Sequence, residues 1–375
     1  MNNPFVILPY ASKELFCDRK AELETLVNFV ENNTNITFIS PRRIGKTGLI
    51  YRLFDEISEK KLPLLTFYVD ISSSQNVADF NKLLSEAVFI TMNKERSKAR
   101  SFFSALKGVR PVLSFDAVTG APQVSLNYVN EQQQSQTLAA IFDFLEKQEK
   151  RVILAIDEFQ TIRDYKGVAM EALLRTYIQP LKNVNFIFCG SKRHIMTDMF
   201  VSPRSPFYAS TQFMHLEKLD KTIYSEFIKE KFAENKKAID NEAIDFIIDF
   251  TRCHTFYTQT LCHNIFATGK NNINISTAKE CASSLLKMNE PIYLQYRSVL
   301  SALQWKYLIA VAKEGSLSKP MSKEFLGKYD IGTPSSSQRL LSSLLEKEFI
   351  LEDIKVDSTS YSVYDVFLSR YLERL

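Results

Sequence analysis

The sequence predicts an α/β fold with a parallel sheet, followed by an all-helical region and a small C-terminal module of three helices and a β-hairpin. Apolar segments of strand length alternate with amphipathic helical segments between residues 19 and 216, which is typical of a parallel sheet with crossover helices. From residue 220 to about residue 289 only helical periodicity follows. We therefore expect domains at residues 1–216, 217–292 and 293–375.

Hydrophobic periodicity gives the elements of the predicted core. Residues 19–32 repeat apolar side chains at helical spacing, and Asp18 stands where an N-cap is expected. In chain order we then expect a strand at 36–39, a helix after residue 47, a strand at 62–71, a helix at 79–94, a helix at 137–150, and strands at 151–158, 184–189 and 213–216.

Residues 97–136 interrupt this alternation. The segments 112–115 and 123–126 flank a turn at residues 119–122, which predicts a β-hairpin inserted into the core. Residues 131–136 are expected to form a polar loop or the start of a helix. Decoration of the core, a lid and a partner-docking element are all open interpretations of this insertion.

One stretch predicts phosphate binding. Residues 40–47, Ser-Pro-Arg-Arg-Ile-Gly-Lys-Thr, lie between a short apolar strand and a helical segment. Consecutive backbone N–H groups at a helix N-terminus bind polyphosphate, so Lys46 would bridge the β and γ phosphates and the Thr47 hydroxyl would ligate Mg²⁺. Ser40 replaces the usual first glycine of this phosphate-binding loop (P-loop). A helix N-terminus that merely happens to contain Gly-Lys-Thr is the alternative.

Two further strand ends carry polar groups. An apolar strand ends in Asp157-Glu158, where Asp157 would hold Mg²⁺ and Glu158 would polarise the attacking water. The next strand ends before Ser191, which is expected to sense the γ phosphate or to position water. Arg193 or Lys192 would neutralise phosphate charge, unless this segment is only a solvated strand exit.

Two residues outside these motifs are weaker candidates. Residues 199–208 contain two prolines and are predicted to form a loop, in which Arg204 is a conceivable arginine finger. His254 lies just before a predicted helix, where it would either contact nucleotide or serve as a cap or core residue.

The C-terminal region predicts a winged-helix domain. Its expected elements are helices at 303–313 and 322–329, a helix that opens at Thr333-Pro334, and strands at 350–354 and 361–366. The preceding region is expected to hold helices at 223–232, 241–252, 255–267 and 276–289. Residues 297–375 contain 11 Lys/Arg and 10 Asp/Glu, a net charge of +1, with Asp353 and Asp357 in the hairpin turn. Because DNA affinity depends largely on phosphate neutralisation, protein contacts are at least as good an interpretation as DNA binding.

Composition limits the function classes. With 45% hydrophobic and 24% charged residues and a net charge of +4, the chain has the composition of a globular protein. No apolar run is long enough for a membrane span, and no signal peptide is evident. Five scattered cysteines indicate reduced thiols in a cytoplasmic protein. The pairs Cys253-His254 and Cys262-His263 would point to opposite faces of one helix, which argues against a shared zinc ion.

The assembled pattern resembles the archaeal-type ATPase family within the STAND branch of the AAA+-related P-loop NTPases. Residues 16–23 resemble its Phe-x-x-Arg-x-x-Glu-Leu segment, which lies near the adenine in relatives, and residues 40–47 are similar to its Gly-Pro-Arg-Arg-x-Gly-Lys-Thr loop. Residues 156–160 and 188–191 resemble its Walker B and Gly-Ser sensor strand ends. Cys253-His254-Thr255 stands where relatives often have a Gly-x-Pro that touches nucleotide.

The resemblance implies a P-loop NTPase core with an α-helical lid and a C-terminal winged helix. It implies ATP or ADP with Mg²⁺ as ligands, catalytic roles for Lys46, Glu158, Ser191 and Arg193, and metal ligation by Thr47 and Asp157. The implied nucleotide-binding residues are Phe16, Asp18, Arg19, Pro41, Arg42, Arg43, Ile44, Gly45, Lys46, Thr47 and Gly48.

Three functional hypotheses follow. The first is a slow ATPase that acts as a molecular switch, with a protein partner or self-association on ATP exchange. The second is a nucleotide-gated DNA-binding regulator that acts through the winged helix. The third is an adaptor that holds ADP without turnover. None of them involves a membrane.

Overall fold

The computed structural model describes residues 3–8, 10–93, 95–106, 108–109, 111–116, 122–355 and 358–375. The chain divides into two compact units. The core unit is Leu8–Glu217, and the C-terminal unit is Lys218–Leu375 together with the short N-terminal segment that ends at Ile7. No helix among the described residues is long and apolar enough to cross a membrane.

The core unit alternates helices and strands. Its elements are α1 (Lys20–Glu31), β1 (Ile36–Ile39), α2 (Lys46–Glu59), β2 (Leu64–Asp70), α3 (Val77–Met92), α4 (Arg96–Ala105), β3 (Val112–Phe115), β4 (Pro122–Ser125), α5 (Glu131–Glu146), β5 (Arg151–Asp157), α6 (Met170–Ile178), β6 (Val184–Gly190), α7 (Arg193–Val201) and β7 (Gln212–His215).

The central sheet has five parallel strands in the order β2-β5-β6-β1-β7. One face packs on α1 and α2 through residues such as Leu26, Leu49 and Ile187. The other face packs on α3, α5, α6 and α7 through residues such as Leu84 and Phe188. A parallel sheet buried on both faces is what the alternation predicted, and the predicted fold class is confirmed.

The insertion lies beside this sheet. β3 and β4 form their own two-stranded antiparallel sheet, in which Val124 donates its backbone N–H to Glu86 on α3 at 2.9 Å. The predicted turn at residues 119–122 lies outside the described residues except for Pro122. The structure thus supplies the predicted hairpin and shows that it does not extend the central sheet.

Local predictions in the core unit had mixed outcomes. Asp18 does not cap α1, because the N-cap residue is Arg19, which adopts a left-handed conformation with φ of 67°. Of the two interpretations of residues 131–136, the start of a helix is confirmed, since the Asn130 side chain accepts the backbone N–H of Gln133 and caps α5 there. The predicted loop at 199–208 begins later, because α7 continues to Val201.

The C-terminal unit is mainly helical. Its elements are α8 (Lys221–Glu234), β8 (Ala238–Ile239), α9 (Asn241–Phe250), α10 (Thr255–Ala267), β9 (Asn272–Ile273), α11 (Ile275–Val299), α12 (Ala302–Glu314), α13 (Lys323–Tyr329), α14 (Pro334–Glu346), β10 (Ile350–Lys355), β11 (Ser358–Val363) and α15 (Val366–Leu372).

The end of the chain has the predicted three helices and hairpin. Thr333 caps α14 through the backbone N–H of Ser336 at 3.2 Å, with Pro334 at the first helical position. The second hairpin strand spans Ser358–Val363, not 361–366, because α15 begins at Val366. Of the two acids predicted in the turn, Asp357 lies outside the described residues.

Two other predictions for this unit need correction. The helix predicted at 276–289 continues through Pro291 to Val299. The region is not purely helical either, because β8 and β9 pair in parallel.

The N-terminal segment is anchored in the C-terminal unit. The Phe5 ring is 1% exposed and lies 4.9 Å from the ring centroid of Phe232 and 6.2 Å from that of Phe266. Asn3 donates its side-chain amide to the carbonyl of His263 at 2.9 Å, and His263 Nδ1 lies 2.8 Å from the Phe5 carbonyl oxygen. Residues 3–5 are therefore part of the packed interior of this unit.

Candidate functional site

The P-loop connects β1 to α2. Gly45 is the N-cap residue of α2 with φ of 106°, a backbone conformation that favours glycine. Arg43 also has a positive φ, of 62°, whereas Ser40 does not. The departure from glycine at Ser40 is therefore tolerated, because that position does not use glycine's conformational freedom.

The loop side chains fall into two groups. Ile44 is buried in the core on the α1–α2 side, and Gly48 is buried in the first turn of α2. Arg42 and Arg43 are exposed. The half-buried Pro41 contributes its carbonyl to the site, since it accepts a hydrogen bond from Lys46 at 3.1 Å.

Lys46 is the buried cation of the site. Its side chain is 6% exposed, and its ammonium donates to the carbonyls of Ser40 at 3.0 Å and Pro41 at 3.1 Å. Burial lowers the pKa of Lys46, while the charges of Asp157 and Glu158 act in the opposite direction. The ammonium thus lies against the P-loop, and the charges of Asp157 and Glu158 offset only part of the effect of burial on its pKa.

Asp157 collects three hydrogen bonds at the end of β5. Its Oδ2 accepts the Thr47 hydroxyl at 2.8 Å and the Tyr68 hydroxyl at 2.9 Å, and its Oδ1 accepts the backbone N–H of Glu158 at 2.9 Å. Burial and the neighbouring charge of Asp157 strongly raise the pKa of Tyr68, so its phenol remains a donor. The two predicted metal ligands, Thr47 and Asp157, are therefore in direct contact.

These oxygens fit a divalent cation. A hydroxyl and a carboxylate 2.8 Å apart are hard oxygen donors of the kind that Mg²⁺ prefers. Asp70 adds a second carboxylate at the same sheet edge, because β2 and β5 pair with Asp70 opposite Asp157.

Glu158 directly follows β5, and its side chain reaches Ser191 at the end of β6. It has a left-handed conformation with φ of 54°, and its Oε2 accepts the Ser191 hydroxyl at 2.8 Å and the Gln160 side-chain amide. Arg42 in turn donates to the Ser191 hydroxyl at 3.2 Å. The predicted water-polarising acid and the predicted sensor serine are thus hydrogen-bonded to each other.

The missing side chain at Gly190 leaves space for the side chains of Gln160 and Met196. A Cβ at Gly190 would lie within 3.0 Å of Gln160 Oε1 and of the Met196 side chain. Gln160 is 4% exposed, and among the described residues its Oε1 has no hydrogen-bond partner. Glycine at this strand end is therefore required by a close approach and not by φ.

A cavity opens beside Glu158. It has a volume of about 420 Å³ and combines the cations Arg42 and Lys192 with the acids Asp70, Glu158 and Asp164. The cavity lies at the carboxyl ends of β2 and β5, where ligands of parallel sheets bind.

In the part of the chain that the structure describes, no hydrogen bond joins Phe16, Asp18 or Arg19 to Asp157 or Glu158. Arg19 is 5% exposed and donates to Glu22 Oε1 and to the carbonyl of Glu217, both at 2.6 Å. Phe16 is half-buried, with its ring centroid 5.8 Å from that of Tyr10. Asp18 has a positive φ of 55°. Arg19 thus forms an ion pair with Glu22 and donates a hydrogen bond to Glu217, both within the core unit.

The remaining basic candidates, Arg193 and Arg204, are both exposed. Arg193 is the exposed first residue of α7. Arg204 is exposed and lines a different cavity, of about 680 Å³, together with Arg163, Glu171 and Asp198. The structure does not bring Arg204 together with the P-loop residues.

The Cys-His pairs have separate surroundings in the C-terminal unit. Cys253 donates its thiol to the Leu219 carbonyl at 3.3 Å, Cys262 is fully buried, and His254 precedes α10 as its N-cap residue. In the part of the chain that the structure describes, no group of three or more His, Cys, Asp or Glu side chains is arranged to hold a metal ion.

Sequence reasoning missed Tyr68 and Gln160. Tyr68 lies 89 positions before Asp157 and reaches it only through the register of β2 and β5. The available signal was the position of Tyr68 near the end of the strand predicted at residues 62–71. Gln160 follows Glu158 closely, but its role depends on the space left by Gly190.

Two family profiles match the chain. Residues 16–251 match an ATPase domain predominantly from Archaea, and residues 291–374 match a probable winged helix domain. No curated protein matches the chain closely enough to count as a relative.

Several solved structures have a similar fold over almost the whole chain. A Walker-type ATPase of Pyrococcus abyssi aligns over 99% of this chain and 100% of its own, with a TM-score of 0.66 and 19% identity. Two Aeropyrum pernix structures, ORC1 in complex with DNA and ORC2 in ADPNP-ADP complexes, each cover 99% of this chain and 96% of their own, with TM-scores of 0.55 and identities of 11% and 15%. At these identities the likeness concerns the fold.

Proposed function

Because the chain belongs to the family of ATPase domains found predominantly in Archaea, we propose that it binds ATP with Mg²⁺ and hydrolyses it slowly as a STAND-type molecular switch. One observation carries this proposal. Thr47, from the P-loop, and Asp157, from the end of β5, meet at 2.8 Å at the carboxyl edge of the parallel sheet. A phosphate-binding loop beside a buried acid is the arrangement that metal-nucleotide chemistry requires.

Each group at this edge has a role in the proposal. Backbone N–H groups of the loop and Lys46 would hold the phosphates. Thr47 and Asp157 would hold Mg²⁺, which when bound neutralises charge on the phosphate oxygens. Glu158 would orient and polarise the attacking water.

The contacts of Glu158 support slow turnover. Its Oε2 is already bonded to Ser191 and Gln160. A hydrogen bond to a charged group is worth about 1.5–3 kcal/mol, so releasing one of them costs roughly ten- to hundredfold in rate. Ser191 would then be free to contact the γ phosphate, which couples nucleotide state to the position of Glu158.

Further parts of the proposal rest on the family likeness. Phe16, Asp18 and Arg19 would lie on the adenine side, and Arg193 would neutralise phosphate charge. We retain residues 1–216, 217–292 and 293–375 as functional domains, with a cytoplasmic location and a protein partner or self-association as the output of ATP exchange.

Two substitutions test the site. Lys46→Ala should abolish nucleotide binding, and Glu158→Gln should leave binding intact while turnover falls by about 10²–10⁴-fold, the usual contribution of a general base. Lys82→Ala is the matched control, because it removes an exposed lysine from α3 of the same unit. Equal ATPase rates for the wild type and both site variants would refute the enzymatic proposal. Co-purified ADP without phosphate release would favour the ADP-holding adaptor.

A nucleotide-gated DNA-binding regulator is the second candidate. α14 presents the exposed side chains of Ser335, Ser336, Gln338 and Arg339 at its start, and the fold neighbour ORC1 was solved with DNA. A gel shift on duplex DNA that weakens with salt and with Arg339→Ala would support this candidate. No shift at low salt, with and without ATP, would reject it.

A further inference from the structure

The Asp157 carboxylate is oriented by a residue outside the recognised motifs. Tyr68 donates its hydroxyl to Oδ2 at 2.9 Å, and Thr47 donates to the same oxygen at 2.8 Å. We propose that Tyr68 is a positioning residue that sets the affinity of the site for its divalent cation, an inference that rests on the proposed function.

The strand register brings Tyr68 to the site. β2 and β5 pair with Tyr68 opposite Ala155, so Tyr68 lies two positions before the residue opposite Asp157. Since side chains alternate along a strand, Tyr68, Ala155 and Asp157 lie on one face of the sheet. That face packs on α2, which carries Thr47 in its first turn.

The Tyr68 ring is held in place by other aromatic rings. Its centroid lies 5.0 Å from that of Tyr51 on α2, and Tyr51 stacks on Tyr10 with centroids 6.3 Å apart and an interplanar angle of 15°. A ring packed in this way loses little freedom when its hydroxyl bonds to Asp157. The hydroxyl is therefore pre-oriented toward the carboxylate.

The two hydrogen-bond donors to Oδ2 differ in how a bound cation would affect them. If Thr47 gives a lone pair to a cation, its hydroxyl can still donate to Asp157, but the cation then also sets the position of that hydroxyl. Tyr68 is the described side-chain donor to Oδ2 that has no role as a metal ligand in the proposal, so it fixes the carboxylate independently of the cation. Groups that orient a metal ligand in this way typically change metal affinity 10- to 100-fold when removed.

Tyr68→Phe tests the inference, because it removes only the hydroxyl. The readout is the binding of a fluorescent ADP analogue as a function of Mg²⁺, together with the same binding in EDTA. We expect the Mg²⁺ midpoint to rise about 10- to 100-fold, with affinity in EDTA changed less than about twofold. Direct Mn²⁺ titration of the ADP complex by electron paramagnetic resonance should show the same loss.

Tyr51→Phe is the matched control. Tyr51 lies in the same aromatic group, and its hydroxyl makes no side-chain hydrogen bond among the described residues, so the Mg²⁺ midpoint of Tyr51→Phe should match that of the wild type. An unchanged or lower midpoint in Tyr68→Phe would overturn the inference alone. Wild-type protein that binds no nucleotide, with or without Mg²⁺, would overturn the proposed function and the inference with it. Circular dichroism melting of both variants separates folding from cation binding.

Discussion

Gly190→Ala is the sharpest test of how the β6 strand end is packed. The added Cβ would lie within 3.0 Å of Gln160 Oε1 and the Met196 side chain, whose residues are 4% and 0% exposed. The fully buried Met196 side chain must shift to make room, so the change overpacks the core and should cost about 1–3 kcal/mol. For a unit of this size each kcal/mol corresponds to about 2–4 °C, so the core unit should melt roughly 2–12 °C lower.

The measurement must report the two units separately, because a chain of two units need not unfold in one transition. Amide hydrogen exchange of β5 and β6 follows the core unit. The single tryptophan, Trp305, lies in α12 and follows the C-terminal unit by fluorescence. Gly190→Ala should weaken protection in β5 and β6 and leave the Trp305 transition unchanged.

Gly327→Ala is the matched control with the opposite expected sign. Gly327 lies inside α13, and an added Cβ would meet nothing within 4 Å. Alanine in a helix interior is favoured over glycine by roughly 0.5–1 kcal/mol, so the Trp305 transition should move to higher temperature. A Gly190→Ala protein as stable as the wild type would refute the claim that this glycine is required by space.

Three further changes have defined outcomes. Gln160→Leu removes a hydrogen bond that Glu158 would have to break under the proposed function, so ATP turnover should rise up to about tenfold. Reduced turnover would mean that Gln160 helps Glu158 to act. Thr333→Ala removes the cap of α14 and should destabilise the C-terminal unit by about 1 kcal/mol in urea; an unchanged Trp305 transition would contradict this. Burial raises the pKa of Tyr165 to about 12, so the native state keeps a proton that the unfolded state loses near pH 10. The free energy of unfolding of the core unit should therefore fall between about pH 10 and 12, and Tyr165→Phe should reduce that slope by about 1.4 kcal/mol per pH unit; equal slopes would refute the assignment.

The elements that the sequence predicted well are those with a strong local signal. α10 begins and ends at the predicted residues, and α14 begins at the predicted Thr-Pro cap. α4 was missed because its first half is charged and its buried apolar side chains are few, such as Phe102. α11 was cut short because Pro291 suggests an end, whereas the helix continues through it. The prolines after Val201 likewise predicted too long a loop, since α7 ends only there.

The same distinction holds for the site. The P-loop and Asp157-Glu158 are contiguous motifs, and their chemistry can be inferred without coordinates. The contact of Tyr68 with Asp157 depends on strand register, and that of Gln160 with Glu158 depends on the missing side chain at residue 190. Such relations arise only when the chain is folded, so no spacing rule in the sequence expresses them.

The packing of Phe5 has a consequence for biosynthesis. The core unit is continuous in sequence, so all of it leaves the ribosome before the residues that follow Glu217. Phe5 is synthesised early, yet its packing partners Phe232 and Phe266 are made only later. Because domains generally fold as units during synthesis, the core unit can fold first while the N-terminal segment remains unpacked. A fragment that starts at residue 218 would lack the ring that packs on Phe232 and Phe266, whereas a fragment of residues 8–217 would keep the whole core unit.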